Sequence, residues 1–590
     1  MKKNVYGLNV GVCLALAFTT VGCVDHDYDL SEDIDLTVNV GGESFTIPKS
    51  STDLINLSQI LSLDEGSSIK AVAQGEYGLN AGDYVLVQSG NPTNSDFHIG
   101  DVTISNLSRN NRVETDEIKF TYPSASLNIN EITLPVPELV NTLTLSDDNV
   151  TTDLVSLSRI GLDASVKLQL SYSSQSFTGT AYIKEGYTIT FDSSWHVETT
   201  SSFIDVIDNH IVRFNRSVGI TSNAPIVVDL SVTEINLTNA PAGEGLYAPG
   251  HFNLNSTITS QGSITIGDLN NMPAGTNESL KIAITSDIMS ARITSITGVV
   301  NPSITINNTR FDINDIPDFL QDNQNSLDVD NPRFYLTVSN NSPVKIELNA
   351  QLESFKDGQS LATARIGAAN GTAPVIIGAN GSTTILISQK AISDAGADNI
   401  VVPNLSELIK TIPDYMVFED IRCKVVQDEV TLALAPTYSF NTDYEAVIPL
   451  SFGADMRLHY THEETDWDVD DMQKYNFNEV QLTFSAISTI PLSMKPQVVA
   501  LDANGNEIND VTATVDGNVA AGTISAPVTS PIKVTLKSNT NNLKRLDGVR
   551  LIFDAVSDSN HVGDNLNEAQ SLKFTDITLN IIGGVTIDLN

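Results

Sequence analysis

The chain has 590 residues, far more than one hydrophobic core organises, so about three to five domains are expected. An apolar share of 41% is enough to build cores and excludes global disorder. Charged residues are only 18%, yet the net charge is −40, and such a surface repels phosphate backbones and anionic lipid heads. Nucleic-acid binding is excluded on that ground, and membrane attachment cannot come from a basic patch.

The first elements concern export. Lys2 and Lys3 precede an apolar run from about Val10 to Val21, too short to span a bilayer, and Gly22 supplies a small residue before Cys23. This arrangement resembles a bacterial lipoprotein box, although Thr20 stands where such boxes favour Leu. The resemblance implies a signal peptide over 1–22 and acylation of Cys23, a membrane partner through the lipid alone. Behind it, Asp25, Asp27, Asp29, Glu32, Asp33 and Asp35 crowd one short stretch. Like charges at this density repel, so 23–36 reads as the acylated Cys and an extended acidic tether. An acidic cluster directly behind such a Cys is similar to the surface-export signal of Bacteroidetes lipoproteins, which implies an outer-membrane, outward-facing address.

Next comes a β-rich unit over 37–125 with one helix. Leu54, Leu57, Ile60 and Leu61 recur on one helical face across Asp53–Leu63, with Asp53 as N-cap. A central antiparallel β region follows over 126–325. Leu162, Ala164, Val166, Leu168, Leu170 and Tyr172 alternate with polar residues there, the mark of a half-buried strand. Trp195, among polar neighbours, is a candidate ligand platform or a folded-back lid.

A sandwich is expected over 326–435, with Val344, Ile346, Leu348, Ala350 and Leu352 on one pleat face. The stretch 313–320, Ile-Asn-Asp-Ile-Pro-Asp-Phe-Leu, recurs at 409–416 as Ile-Lys-Thr-Ile-Pro-Asp-Tyr-Met, and a short helix is expected over Asn404–Ile412. Asn331-Pro332, the strand Phe334–Val338 and Asn340-Asn341 before Pro343 loosely resemble the late-embryogenesis-abundant/water-stress sandwich, which implies a sandwich fold and no activity. The 316–320 and 327–332 segments also resemble stretches of Bacteroidetes surface lipoproteins, a grouping that implies no chemistry. Cys423, between Arg422 and Lys424, is a small core residue on the opposite pleat face. With Cys13 removed and Cys23 acylated it leaves no intramolecular disulfide to form.

The last unit, a C-terminal sandwich over 436–590, contains a polar loop at 459–476. Leu-Thr-Val-Ser at 336–339 echoes Leu-Thr-Phe-Ser at 482–485. Each is followed by a polar break, a second strand and a Gly turn, at Asp357-Gly358 and at Asn504-Gly505, where a type I′ hairpin turn is expected. Ile532, Val534 and Leu536 alternate with polar residues, and terminal strands meet at Gly583-Gly584.

Catalytic constellations are sparse. Asp466, Asp468, Asp470 and Asp471 form a weak Ca²⁺ candidate. An EF-hand loop would need Gly where Asp471 stands and Glu where Phe477 stands, so an acidic solvated loop is the plainer reading. His459 and His462 with Glu463 and Glu464 half-match H-E-x-x-H, with Asp466 replacing the second His, and exposed loop histidines are expected instead. Trp467 in the same loop is the second candidate platform. No G-x-S-x-G elbow or phosphate-cradling Gly loop is present, and no cofactor is expected. The sequence therefore reads as all-β, with multi-domain antiparallel β-sandwiches of immunoglobulin-like or late-embryogenesis-abundant-like type and one or two short helices. The function expected is non-catalytic binding or structural work at the cell surface, toward a glycan or protein partner. A surface glycan or peptide hydrolase and a fimbrial subunit or fibre anchor are the alternatives.

Overall fold

The computed structural model describes residues 38–40, 44–60, 68–90, 92–99, 102–123, 129–267, 269, 273–314, 316, 324–392, 397–434, 436–465, 475–540, 542–583 and 585–587. Strand is 61% of the structure and helix 4%, and the fold is all-β and sandwich-like, as the period-two alternation requires. Among the described residues every strand pair but one is antiparallel. The exception joins Gly381–Ser388 to Asp398–Val401.

The central sandwich stacks an eight-stranded sheet on a nine-stranded one. In the first sheet Leu154–Ser173 pairs with Asn277–Val300 on one side and Ile226–Asn236 on the other. Leu162, Ala164, Val166, Leu168, Leu170 and Tyr172 all point inward and are buried, the face that their spacing predicts. In the second sheet Ile132–Asp147 pairs with His251–Ile266. Asn141, buried between the two sheets, donates across to Ser286 Oγ at 2.8 Å, so this polar side chain keeps a partner.

The middle sandwich opposes a five-stranded sheet centred on Ile346–Lys356 and a seven-stranded sheet centred on Arg333–Asn340. The related segments 313–316 and 409–413 meet inside it. Thr309–Asp312 pairs with Tyr415–Val425, and Ile313, Ile316, Ile409 and Ile412 gather in one apolar cluster with Leu327 and Val329. The repeat is thus two antiparallel neighbours feeding one core. Residues 315 and 317–320 of the first copy lie outside the described residues.

The C-terminal sandwich opposes a six-stranded sheet to a three-stranded one, and a further three-stranded sheet joins Val38–Val40, Val585–Ile587 and Tyr475–Asn476. The terminal strands Ser571–Ile582 and Val585–Ile587 accordingly belong to different sheets.

Among its described residues the segment 37–125 builds no sheet of its own. Ser44–Ser50 joins the C-terminal sandwich, Tyr84–Ser89 and Thr93–His98 join the middle one, and Asn111–Glu114 and Ile118–Thr121 join the central one. Thr437–Pro449, placed by spacing in the last unit, lies between Arg333–Asn340 and Tyr84–Ser89 in the middle sandwich.

The two echoed strand–break–strand units are not hairpins. Arg333–Asn340 and Ile346–Lys356 lie in opposite sheets of the middle sandwich, and Glu479–Ser488 and Leu492–Leu501 lie in opposite sheets of the C-terminal one. The polar break carries the chain across the core in both. The Asp357-Gly358 turn does close a two-residue hairpin, with φ of 51° and 73°, which suits type I′. Asn504-Gly505 does not. Only Gly505 has a positive φ, 76°, and the Asp502 amide donates to the Asn506 carbonyl at 2.9 Å, which leaves a three-residue loop, 503–505.

Both expected helices shrink. Among the described residues the first is Leu57–Ile60, starting late because Ile55–Asn56 pairs with Ser571 and Leu572 and leaves Leu54 55% exposed; residues 61–63 lie outside the described residues. The Asn56 amide donates to Gln59 Oε1 at 2.9 Å, so the capping contact sits there rather than at Asp53. The second is a 3₁₀ turn, Leu405–Leu408, which buries Leu405 and Leu408 as the spacing predicts.

Candidate functional site

Several sequence candidates fall outside the described residues: Cys23 with its tether, and Asp466, Asp468, Asp470 and Asp471 with Trp467. Among the described residues no three His, Cys, Asp or Glu side chains gather in a way that could hold a metal ion. His459 and His462 are on a strand, Arg457–Glu464, and not in a loop, because the whole segment pairs with Gly548–Ser557. Their spacing puts them on opposite faces of it. His459 Nδ1 lies 2.8 Å from Asp554 Oδ1, and the other Asp554 oxygen accepts from Gln497 at 2.8 Å. These contacts form a cross-strand tie on the outer face.

Trp195 is neither platform nor lid. It opens the strand Trp195–Thr199, is 2% exposed and stacks on Phe191 at 6.2 Å. Cys423 packs against the core half-buried, and burial pushes its thiol up to about 11, so it is a poor nucleophile.

A pair of carboxylates does meet on the five-stranded sheet. Gln351 Nε2 donates to Glu353 Oε2 at 3.2 Å and to Glu419 Oε1 at 3.0 Å. Burial first, and then the hydrogen bond shared with Glu353, raises the Glu419 carboxyl. The three residues sit on the outward pleat face beside Phe355 and Tyr415, whose rings stack at 4.9 Å. They form part of a sheet surface, where a hydrolase needs a cleft with acids on both sides of a bond.

The feature that stands apart is a cavity between the two sheets of the C-terminal sandwich, of about 90 Å³. Cavities in the middle sandwich are about 20 Å³ each. One wall comes from the six-stranded sheet: Val480, Leu482 and Phe484 on Glu479–Ser488, Ile532, Val534 and Leu536 on Val528–Ser538, and Leu572 and Phe574 on Ser571–Ile582. The other wall comes from Met494, Pro496 and Val498 on Leu492–Leu501 and Val549, Leu551 and Phe553 on Gly548–Ser557, with Val519 completing the lining. Every lining side chain is apolar.

Period-two alternation places each of these residues inward, and the unequal sheets explain why they do not close on one another. Phe484 and Val534 on one wall, and Pro496, Val498 and Phe553 on the other, stay half-buried, so the cleft opens to solvent. Pro496 lies on the outer strand of the smaller sheet, where a missing amide donor costs least. That strand's outer edge is bonded at Met494, which exchanges both backbone bonds with Val519 at 2.9 Å, and at Ala500, whose carbonyl accepts from Ile508.

The chemistry of this cleft is simple. A confined water needs two or more polar partners, and the lining offers none. Left empty, 90 Å³ of apolar void costs about 2 kcal/mol at ~24 cal/mol per Å³. The site is suited to apolar matter and carries no group that transfers a proton or attacks a carbonyl.

Sequence reasoning did not find this cleft. Alternation marks inward residues, but nothing local tells which inward rows are left without an opposing layer.

No family model matches the chain, and no curated protein matches it. Solved structures similar to it include one from Parabacteroides distasonis described as a secreted protein, at 10% identity and a TM-score of 0.33, covering 49% of this chain and 89% of that one. Another is from Sulfolobus turreted icosahedral virus, at 9% identity and a TM-score of 0.12, covering 80% of this chain and 100% of that one. A third, a triple jelly roll from the turret assembly of an archaeal virus, has 10% identity and a TM-score of 0.11, covering 77% and 98%. Overlaps this loose carry no argument about fold or function.

Proposed function

We propose that this chain is an exported lipoprotein of the outer membrane, acylated at Cys23, that holds β-sandwiches away from the membrane to bind a partner without catalysis. The acidic stretch 24–36 serves as the spacer, and the outward orientation follows from its likeness to a surface-export signal. The observation that carries the binding reading is the C-terminal cleft: its lining is apolar throughout, so it can hold a ligand but has no group to transform one. The carboxylates that do cluster, Glu353 and Glu419, lie on a sheet face and not in a cleft, which lends the hydrolase alternative little support.

Cell fractionation of the Cys23→Ser variant tests the anchor, and protease shaving of intact cells tests the address. The reading expects the wild-type chain in the membrane pellet, the variant released, and mature peptides shed by protease. A variant that still sediments with membranes refutes the anchor, and peptides that survive shaving refute the outward orientation.

One observation favours a second reading, that of a fibre subunit or anchor. The three-stranded sheet opposes a six-stranded one, and a strand donated by another molecule would extend the smaller layer. Filaments or ordered oligomers in purified protein would support that reading over the first.

A further inference from the structure

We infer that the molecule stands on the lipid leaflet by the outer pole of its C-terminal sandwich and presents the far end of its central sandwich outermost. The inference rests on the anchor reading above and adds which end faces the lipid and which end meets a partner.

Residues 44–121 show this order, because they climb through all three sandwiches. Ser44–Ser50 starts opposite Ile582 and follows Ser571–Ile582 back to Ile577, and Ile55 pairs with Leu572. The chain then crosses into the middle sandwich, where the Tyr84 amide donates to the Leu566 carbonyl at 2.8 Å and Asp83 bridges Asn567. Tyr84–Ser89 and Thr93–His98 follow Thr437–Pro449 from its Pro449 end to its Thr437 end. Val102–Thr103, Asn111–Glu114 and Ile118–Thr121 follow Asn277–Val300 from Ile293 to Asn277. Each ladder begins where the one before it ends. Among the described residues no sheet holds strands of both the C-terminal and the central sandwich, so the order is C-terminal, middle, central.

The same registers set the two ends. Ser44 enters in line with Ile582, Glu479, Lys537 and Thr512, the end of that sheet turned away from Leu572 and the junction. Only residues 24–37 separate Cys23 from Val38, a reach of at most about 50 Å. At the other extreme, Asn277 lies roughly 60 Å of strand beyond Ser295–Gly298, where Val430–Ala433 joins the central sheet. Phe120, Tyr122, Tyr172 and Phe177 close that far end as buried rings 5.5–5.7 Å apart, which makes it a rigid platform. The ascending ladders together span on the order of 100 Å, beyond the reach of the tether. The net charge of −40 repels an anionic leaflet and opposes lying flat on it.

The test uses the full chain with Cys23 intact and Cys423→Ser, bound to vesicles of phosphatidylcholine with a minority of phosphatidylglycerol. Headgroup-labelled lipid is the energy-transfer acceptor. A donor dye is placed on Thr512→Cys in the C-terminal sandwich, on Ser360→Cys in the middle one, or on Asn223→Cys in the turn between Val218–Ile220 and Ile226–Asn236. All three positions are exposed. Transfer to the leaflet should be strong from position 512, weaker from 360 and lost from 223.

Equal transfer from 512 and 223 means that the molecule lies flat, and stronger transfer from 223 means that it stands the other way up. Either result, in a chain that floats with the vesicles, overturns this inference and leaves the anchor standing. A chain with Cys23 intact that does not float refutes the anchor reading, and this inference falls with it. Graded transfer together with loss of flotation in Cys23→Ser supports both.

Discussion

Replacing Asn340 should unlock the chain's crossing between the sheets of the middle sandwich. Asn340 is 1% exposed and satisfied on all sides. Its Nδ2 donates to the Val344 and Gly378 carbonyls, each at 2.8 Å, and its Oδ1 accepts from the Ser342 amide at 2.9 Å and from Ser342 Oγ at 2.7 Å. Truncation to Ala leaves an amide, a hydroxyl and two carbonyls without these partners. At ~1–3 kcal/mol per buried group left unpaired, and with the carbonyls keeping a second lone pair for other donors, the loss is about 3–5 kcal/mol. Asn340→Asp preserves volume and acceptor but sets a carboxylate against two carbonyl oxygens. It should cost at least as much at pH 7, and less at pH 4, where a protonated carboxyl can donate to one of them.

Whole-chain denaturation is the wrong assay, because several sandwiches need not unfold together. The buried Trp195 would also report on the central sandwich instead. Hydrogen exchange read by mass spectrometry over 333–356 and 375–388 is the direct measure, with 154–173 as internal control. Protection should drop in the first two regions and hold in the third. A change below about 1 kcal/mol in both variants, or an equal loss in all three regions, would refute the claim that this one amide holds the crossing.

Three further outcomes follow from the same geometry. Asp83, 4% exposed, accepts from Asn565 Nδ2 and Asn567 Nδ2 at 2.9 Å each and from the Asn80 amide at 3.0 Å, so Asp83→Ala should cost about 2–4 kcal/mol and loosen exchange protection around both 80–87 and 565–571. Glu479 is held below its ordinary 4.5 by Lys537, 2.9 Å away, and by Gln481, so the unfolded chain binds the proton more tightly. Its stabilisation is therefore complete above pH 4.5 and fades as pH falls through the lower folded value, and Glu479→Gln should flatten that part of a pH profile of exchange protection over 479–488 and 528–538, corrected for intrinsic exchange rates. Cys423, pushed up to about 11 from 9.0 by burial, should carry about a hundredfold less thiolate at pH 8 than in the unfolded chain, and a thiol-reagent time course on Cys23→Ser protein should slow by that order on folding.

What the sequence determined by itself is the kind of structure and the inward face of each strand. Alternation at 162–172 and 344–352 reads out which side chains are buried, because a pleated strand turns successive residues to opposite sides whatever it pairs with. It also determined the order of the polar breaks. It left open how each polar break runs, since a break reads alike whether the next strand returns beside the first or passes to the facing sheet. Helical spacing at 53–56 misled for a related reason: the strand of residues 571–574 captures Ile55 and Asn56 from more than five hundred positions away.

Only the tertiary structure decided partners, and with them the site. Thr46 bonds Asn580 across 534 positions, and strands of 37–125 divide among three sandwiches, because ladder hydrogen bonds are made by backbone that every residue shares. No local pattern specifies them. The cleft follows from that arithmetic of layers: six strands facing three leave Phe484 and Val534 turned inward with no side chain packed fully over them.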